Sequence, residues 1–268
     1  ITITEAKKDE MKNKTENSNL TVTDGTVKIP AGFKVAEDSG TTIDEGIVIE
    51  DSKQNQFVWV PVSKKNFESE FVRREGYSEG SQQNYLSNCG EADATGTNAK
   101  VTETATTQQE AKDMYKSVKA NGGYYIARYE ASYGTDGKAN STVSNTFTNS
   151  DTAPTTRTEG MLWNYITQID AATASRDLYT TATTDLINSY AWSTALEYIN
   201  KMGSSDYINK KNTVTSILKT GQSGDKACNI YDMSGNISEW TTETATNSTG
   251  KCTYIGCLLY TSPSPRDS

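Results

Sequence analysis

The 268 residues contain no histidine. Without an imidazole the chain lacks the usual general base near neutral pH, any Ser-His-Asp or Cys-His triad, and any His-ligated zinc or copper site. Cysteine is scarce: Cys89, Cys228, Cys252 and Cys257 stand at spacings that match no CxxC zinc or redox motif. Clustered positive charge is missing too. A net charge of −8, a pI near 4.8 and no basic stripe argue against nucleic acid or an anionic membrane surface as a partner. No apolar run is long enough to cross a bilayer. There is also no G-x-x-x-x-G-K-[ST] phosphate loop, no G-x-G-x-x-G fingerprint and no G-x-S-x-G nucleophile elbow.

What the chain does have is Thr, Ser, Asn and Gly in abundance over a small stock of Leu and Phe. That polar, turn-rich composition suits an exported β-rich protein better than a cytosolic helical enzyme. About 250 residues can bury a substantial core, so one sizeable domain on an N-terminal stalk is expected. Residues 1–19, with Glu5, Lys7, Lys8, Asp9, Glu10, Lys12 and Lys14, are charged helix formers around a thin apolar stripe and read as a stalk helix or linker. Residues 20–56 turn to period two, with short strands at 26–30, 33–35 and 47–50 and turns at Asp24-Gly25 and Asp51-Ser52. The run 56–62 is the most apolar of the strands: Trp59 is expected in the core, and Pro61 ends the ladder or places it at an edge.

Residues 63–105 read as a partly helical insertion followed by a long surface loop. A helix is expected over 107–120, with Ala111, Met114, Tyr115 and Val118 on one face and Asn121-Gly122 as its stop. The strand 124–129 that follows carries Tyr124, Tyr125, Arg128 and Tyr129, either as contacts for a sugar or peptide or as buried aromatics paired across strands; pairing is the preferred reading. Helical periodicity returns over 163–174 and 192–202, the second with Trp192, Ala195, Leu196, Ile199 and Met202 on its core face and Gly203 as C-cap.

The stretch around which the rest is organised is Asn229-Ile230-Tyr231-Asp232-Met233-Ser234-Gly235-Asn236-Ile237-Ser238-Glu239-Trp240. Ser234-Gly235-Asn236 is a turn signal, since Gly tolerates positive φ and Asn bonds back to its own backbone. Asp232 and Glu239 flank it. Two carboxylates and the free carbonyls of a turn suit a hard cation such as calcium, which takes oxygen ligands; the alternative is an Asp that caps the turn and a Glu that faces solvent. Cys228 and Cys252 bracket the stretch, either as a disulfide that staples it or as two buried thiols.

This stretch resembles the Gly-Asn-x-x-Glu-Trp signature of formylglycine-generating, sulfatase-modifying-factor proteins, whose domain is a variant of the C-type lectin fold. Gly122-Gly123-Tyr124-Tyr125-Ile126-Ala127-Arg128-Tyr129-Glu130 and Ala191-Trp192-Ser193-Thr194-Ala195-Leu196-Glu197-Tyr198-Ile199 resemble further segments of that family in the expected order, so the likeness spans residues 57–256. It implies an α+β, C-type-lectin-like domain with short strands, two or three helices and long loops. It also implies a structural calcium ion held at the positions of Asp232, Gly235, Ile237 and Glu239, two by side chain and two by backbone carbonyl. Asp232 stands where the family usually has Asn, which keeps the oxygen ligand and adds charge.

Residues 257–268 resemble the conceptual translation of a transposase sequencing adapter and are set aside from fold reasoning. With Ile1 at the start, both ends are expected to be cut from a longer gene. The opening resembles the segment after the hydrophobic N-terminal helix of pilin-like surface proteins of Gram-positive bacteria, which implies an extracellular or cell-surface protein whose membrane attachment lies only in a missing N-terminal segment. Three functions are then open. The first is an exported, non-catalytic module that binds an unknown extracellular protein or glycan. The second is a formylglycine-generating oxidase that acts on a sulfatase cysteine; in the family this needs a copper-binding Cys pair after an Arg-Gly-Gly-type turn that the chain does not reach. The third is a structural pilin-like subunit.

Overall fold

The computed structural model describes residues 12–72, 108–144, 154–202, 217–222, 224–233, 236–237, 239–246 and 252–256. Alternating apolar residues build a central antiparallel sheet from β3 (Lys34–Val35), β4 (Val48–Glu50), β5 (Gln56–Pro61) and β6 (Gly123–Ala127), in that order. Because successive side chains of a strand point to opposite faces, this sheet has two apolar faces, and each is covered by a different element. The sheet spans the boundary expected between residues 56 and 57, since β4 and β5 are hydrogen-bonded neighbours.

One face is covered by the hairpin of β1 (Ser18–Val22) and β2 (Gly25–Ile29), which pair antiparallel. Leu20, Val27 and Ile29 pack there with Phe33, Ile43, Ile47, Ile49 and Trp59. The Asp24 carboxylate at the hairpin tip accepts from the backbone N–H groups of Ile43 (2.9 Å) and Asp44 (3.0 Å), which ties the tip to the loop before β4. Trp59 and Tyr125 are directly opposite in the β5–β6 register, with ring centroids 5.1 Å apart, and the Tyr125 hydroxyl donates to the Lys28 carbonyl at 2.7 Å. The aromatic pairing expected for this strand is therefore present.

Four helices are described: α1 (Phe67–Glu70), α2 (Gln108–Asn121), α3 (Gln168–Ser175) and α4 (Ser189–Met202). None of them is long and apolar enough to cross a membrane. The other sheet face is covered by α4, whose Ala195, Leu196, Tyr198 and Ile199 meet Val48, Val58, Val60 and Ile126. This helix begins three residues before its expected start, because the Asn188 side chain accepts from the Ala191 N–H at 2.8 Å and caps it. Met202, expected on the core face, is 46% exposed. The third helix starts at Gln168 rather than at 163: Thr167 accepts from the Asp170 N–H, and its hydroxyl donates to the Asp170 carboxylate at 2.7 Å. That reciprocal cap stops the helix from extending further toward Trp163.

The helical stalk is a correction. Residues 12–17 form no helix and Ser18 already belongs to β1, where Leu20 finds a hydrophobic partner surface; the remainder of the expected stalk lies outside the described residues. Smaller antiparallel pairs complete the chain: β7 (Ser132–Tyr133) with β8 (Ala139–Asn140), β9 (Lys226–Ala227) with β10 (Ile230–Tyr231), and β11 (Trp240–Thr246) with β12 (Cys252–Gly256). The architecture is α+β.

Gly123 follows α2 where the backbone runs against the core. A Cβ there would sit 2.4 Å from Trp59 Cζ2 and 2.5 Å from the Val60 carbonyl oxygen. Gly123→Ala is expected to cost about 1–3 kcal/mol in urea unfolding, the usual range for overpacking; unchanged stability would mean that Trp59 and the Val60 backbone both give way.

Candidate functional site

The organising stretch is held down by an arginine. Cys228 and Asn229 form the two-residue loop between β9 and β10, both at positive φ (47° and 62°), the conformation whose twist matches a tight hairpin. Beneath it lies Arg128, fully buried. Its Nε donates to the Asn229 carbonyl (3.2 Å), its Nη1 to Asp38 Oδ1 (2.9 Å) and Gln56 Oε1 (2.7 Å), and its Nη2 to Asn229 Oδ1 (3.4 Å). The Tyr129 and Tyr231 rings each lie 5.5 Å from the guanidinium carbon. Burial alone would lower the Arg128 pKa, but the Asp38 hydrogen bond and nearby negative charge hold it above the ordinary value. Arg128 is thus a structural cation, in keeping with the reading of this strand as core rather than ligand contact. Asn229 Nδ2 donates to the Gly46 carbonyl at 2.8 Å, which joins the hairpin to the loop before β4.

Cys228 is a free thiol, so the stapling disulfide is not formed at this residue. Burial pushes its pKa up to about 11, although a hydrogen bond with Tyr198 pulls the other way. In the native protein Cys228 is expected to remain unlabelled by iodoacetamide at neutral pH and to label fully in urea, as read by peptide mass spectrometry; rapid native labelling would place it on an open surface.

Past the hairpin, four carboxylates gather. Asp232 is fully buried at positive φ; its Oδ2 accepts from the Gly221 N–H, and its own N–H donates to the Asp225 carbonyl, both at 2.8 Å. Glu130, immediately after the Arg128-Tyr129 pair, reaches across to the turn: its Oε1 accepts from the Ile237 N–H at 3.1 Å and its Oε2 from Asn236 Nδ2. Asn236 in turn accepts from the Leu218 N–H at 2.8 Å. Glu239 has an Oε2 that is sealed from solvent and has no hydrogen-bond partner.

Burial raises both Glu130 and Glu239 well above the ordinary carboxylate range, and neighbouring negative charge adds to it: Glu239 and Asp232 act on Glu130, and Asp232 and Asp225 act on Glu239. Such a cluster resists full ionisation unless something positive enters. Of the four positions expected to hold calcium, the structure thus brings Asp232 and Glu239 into one electrostatic cluster and places Ile237 beside it; Gly235 lies outside the described residues. Among the described residues no three His, Cys, Asp or Glu side chains are placed to hold a metal. A site of two carboxylates and two backbone carbonyls does not require three such side chains, and the unsatisfied Glu239 oxygen fits a cation ligand.

The motif's last residue points elsewhere. Trp240 Nε1 donates to the Ile166 carbonyl at 2.8 Å, and Gln168 at the start of α3 bonds the Thr241 carbonyl. Glu239 and Trp240, adjacent in sequence, thereby connect the acidic cluster to the loop before α3. Glu130 was missed as a site residue because it lies in the loop after β6 and meets the turn only through contacts 106 and 107 residues away. Its one sequence signal was its place in the second segment that resembles the family. In comparisons with known proteins, no family model matches this chain, and neither the curated proteins nor the solved structures give a significant match.

Proposed function

We propose that this chain is an exported or cell-surface ligand-binding module on a C-type-lectin-like, sulfatase-modifying-factor-type scaffold, without catalytic activity, and that a structural calcium ion at Asp232, Gly235, Ile237 and Glu239 locks its central turn. The observation that carries this reading is the use to which the signature residues are put. Asn236, Asp232 and Trp240 spend their polar groups on Leu218, Gly221 and Ile166, that is, on fixing loops, and the Glu239 Oε2 is sealed from solvent rather than open to a substrate. Function then resides in the loops held by this frame.

Calcium bound there would offset the repulsion among Glu130, Glu239, Asp232 and Asp225. Glu130, through Ile237 and Asn236, would hold the turn in register beside it. The partner is an extracellular protein or glycan. The protein is tested by incubation, with copper(I) present, with a sulfatase peptide that carries the target cysteine, and in parallel on an array of glycans and surface proteins. Retention of a ligand that is lost on chelation, with the peptide cysteine unchanged, is expected; conversion of the cysteine to formylglycine would overturn the reading in favour of the oxidase.

A further inference from the structure

A cleft of about 400 Å³, within the size range of small-ligand sites, opens between the loop before α3 and the first turns of that helix; its walls include Arg157, Trp163, Tyr165, Thr167, Asp170 and Thr173. Three features separate it from an ordinary surface groove. The first is an uncompensated cation. Arg157 Nη2 donates to the carbonyls of Asn164 (2.6 Å) and Tyr165 (3.0 Å), while Nη1 is buried with no hydrogen-bond partner. Among the described residues no carboxylate is paired with it, Asp170 across the cleft included. A partly buried guanidinium without such a partner favours an anionic ligand.

The second is strain. Tyr165 holds φ at 52°, a conformation uncommon for a bulky side chain, and the Arg157 bond to its carbonyl helps to hold it there. The third is a rigid apolar wall: Trp163 packs edge-on against Tyr133 with centroids 4.9 Å apart, and its backbone N–H is tied to the Ala131 carbonyl at 2.9 Å. The floor is held by the Trp240 bond to Ile166.

We propose that this cleft binds a small carboxylate ligand of sugar-acid or amino-acid size, with its carboxylate drawn to Arg157, its body against Trp163 and its hydroxyl or ammonium donors to Asp170. Arg157 lines the cleft, and a guanidinium favours a carboxylate through its charge and its planar fork of donors. Asp170 is exposed and keeps acceptor capacity beyond its bond from Thr167, so a ligand that carries donors beside its carboxylate is favoured over a bare anion.

The proposal rests on the binding-module reading but not on calcium. The test is isothermal titration of the protein with glucuronate, phenylalanine, glucose and acetate, with and without calcium. Glucuronate or phenylalanine is expected to bind at least about tenfold more tightly than glucose and acetate, and the stronger of the two identifies the source. Arg157→Gln should abolish that preference. Because this variant also removes the bonds to Asn164 and Tyr165, Thr173→Trp, which fills the cleft from an exposed helix position, serves as a second variant and should remove binding while the melting curve stays unchanged. No heat from either acid, equal binding of glucose and glucuronate, or full binding by the Thr173→Trp protein would each overturn the proposal. A calcium-dependent rise in melting temperature without such binding would leave the scaffold reading standing and remove only the cleft.

Discussion

Arg128→Ala is expected to lose about 3–5 kcal/mol of unfolding free energy in urea titration, from buried acceptors left without donors and from the cavity left behind. The substitution leaves the Asn229 carbonyl, Asn229 Oδ1 and Gln56 Oε1 without their donors and opens a cavity beside the stacked Tyr129 and Tyr231 rings. Little of the loss comes from the charge pair itself, because Asp38 is 63% exposed and is rehydrated easily. Arg128→Lys separates the two contributions. It keeps the charge but offers one compact head where four acceptors are arranged around a planar fork, so it should recover less than half of the loss. If Arg128→Lys restores wild-type stability, then the network matters only as charge, and the description of the hairpin as pinned by directional bonds fails.

The second large effect concerns Glu239. In calcium-free protein its carboxyl is held well above the ordinary range by burial, with the charges of Asp232 and Asp225 acting in the same direction. A carboxyl whose pKa is raised on folding contributes stability that is fully present below its unfolded value of about 4.3 and is lost as pH rises through the folded value. The chelated protein should therefore become less stable as pH climbs from about 4.3 toward neutrality, and Glu239→Gln, which carries no charge, should flatten that decline. The same substitution removes a proposed ligand, so it should also abolish stabilisation by calcium. Calorimetric melts of both proteins at several pH values, with calcium and with chelator, read the two effects together. A Glu239→Gln protein that still gains stability from calcium would place the ion elsewhere.

Legibility varied with how local the determining physics was. The strands 47–50 and 56–61 were visible because a short run of β-branched and aromatic residues is a local property, and the stop of α2 at Asn121-Gly122 was visible because a left-handed Gly after a helix is a local signal. The starts of α3 and α4 were misplaced, although Thr167-x-x-Asp170 and Asn188 are cap signals. Apolar periodicity was given precedence over capping there. Met202 kept the helical spacing but is the last residue of α4 and lies outside the core cluster on the sheet. Over residues 12–19 no stalk helix forms, because residues 18–22 fold as the partner of Gly25–Ile29, a pairing that charge content does not reveal.

Within the site, Asp232 and Glu239 were legible from a single twelve-residue stretch, because the turn that places them is encoded there. Glu130, Arg128 and Arg157 were not. Their roles depend on partners far away in sequence or, for Nη1 of Arg157, on the lack of an acceptor, and neither leaves a periodic trace. The Cys228-Asn229 turn was hidden for another reason: Cys is an unusual residue at a left-handed position, and only the register of Ala227 with Ile230 identifies the loop.

The central claim is that the buried carboxylates beneath the Asn236 turn form a calcium site that stabilises a binding scaffold. The most direct measurement is the melting temperature of the protein across a calcium titration that begins in chelator. A ligand held only by the folded state adds about 2.7 kcal/mol at a hundredfold excess over its Kd, which for a domain of this size is a rise of roughly 5–10 °C. The account predicts a rise of that order at a hundredfold excess, continuing with the logarithm of the calcium concentration. A melting temperature that is the same in chelator and in saturating calcium would contradict it.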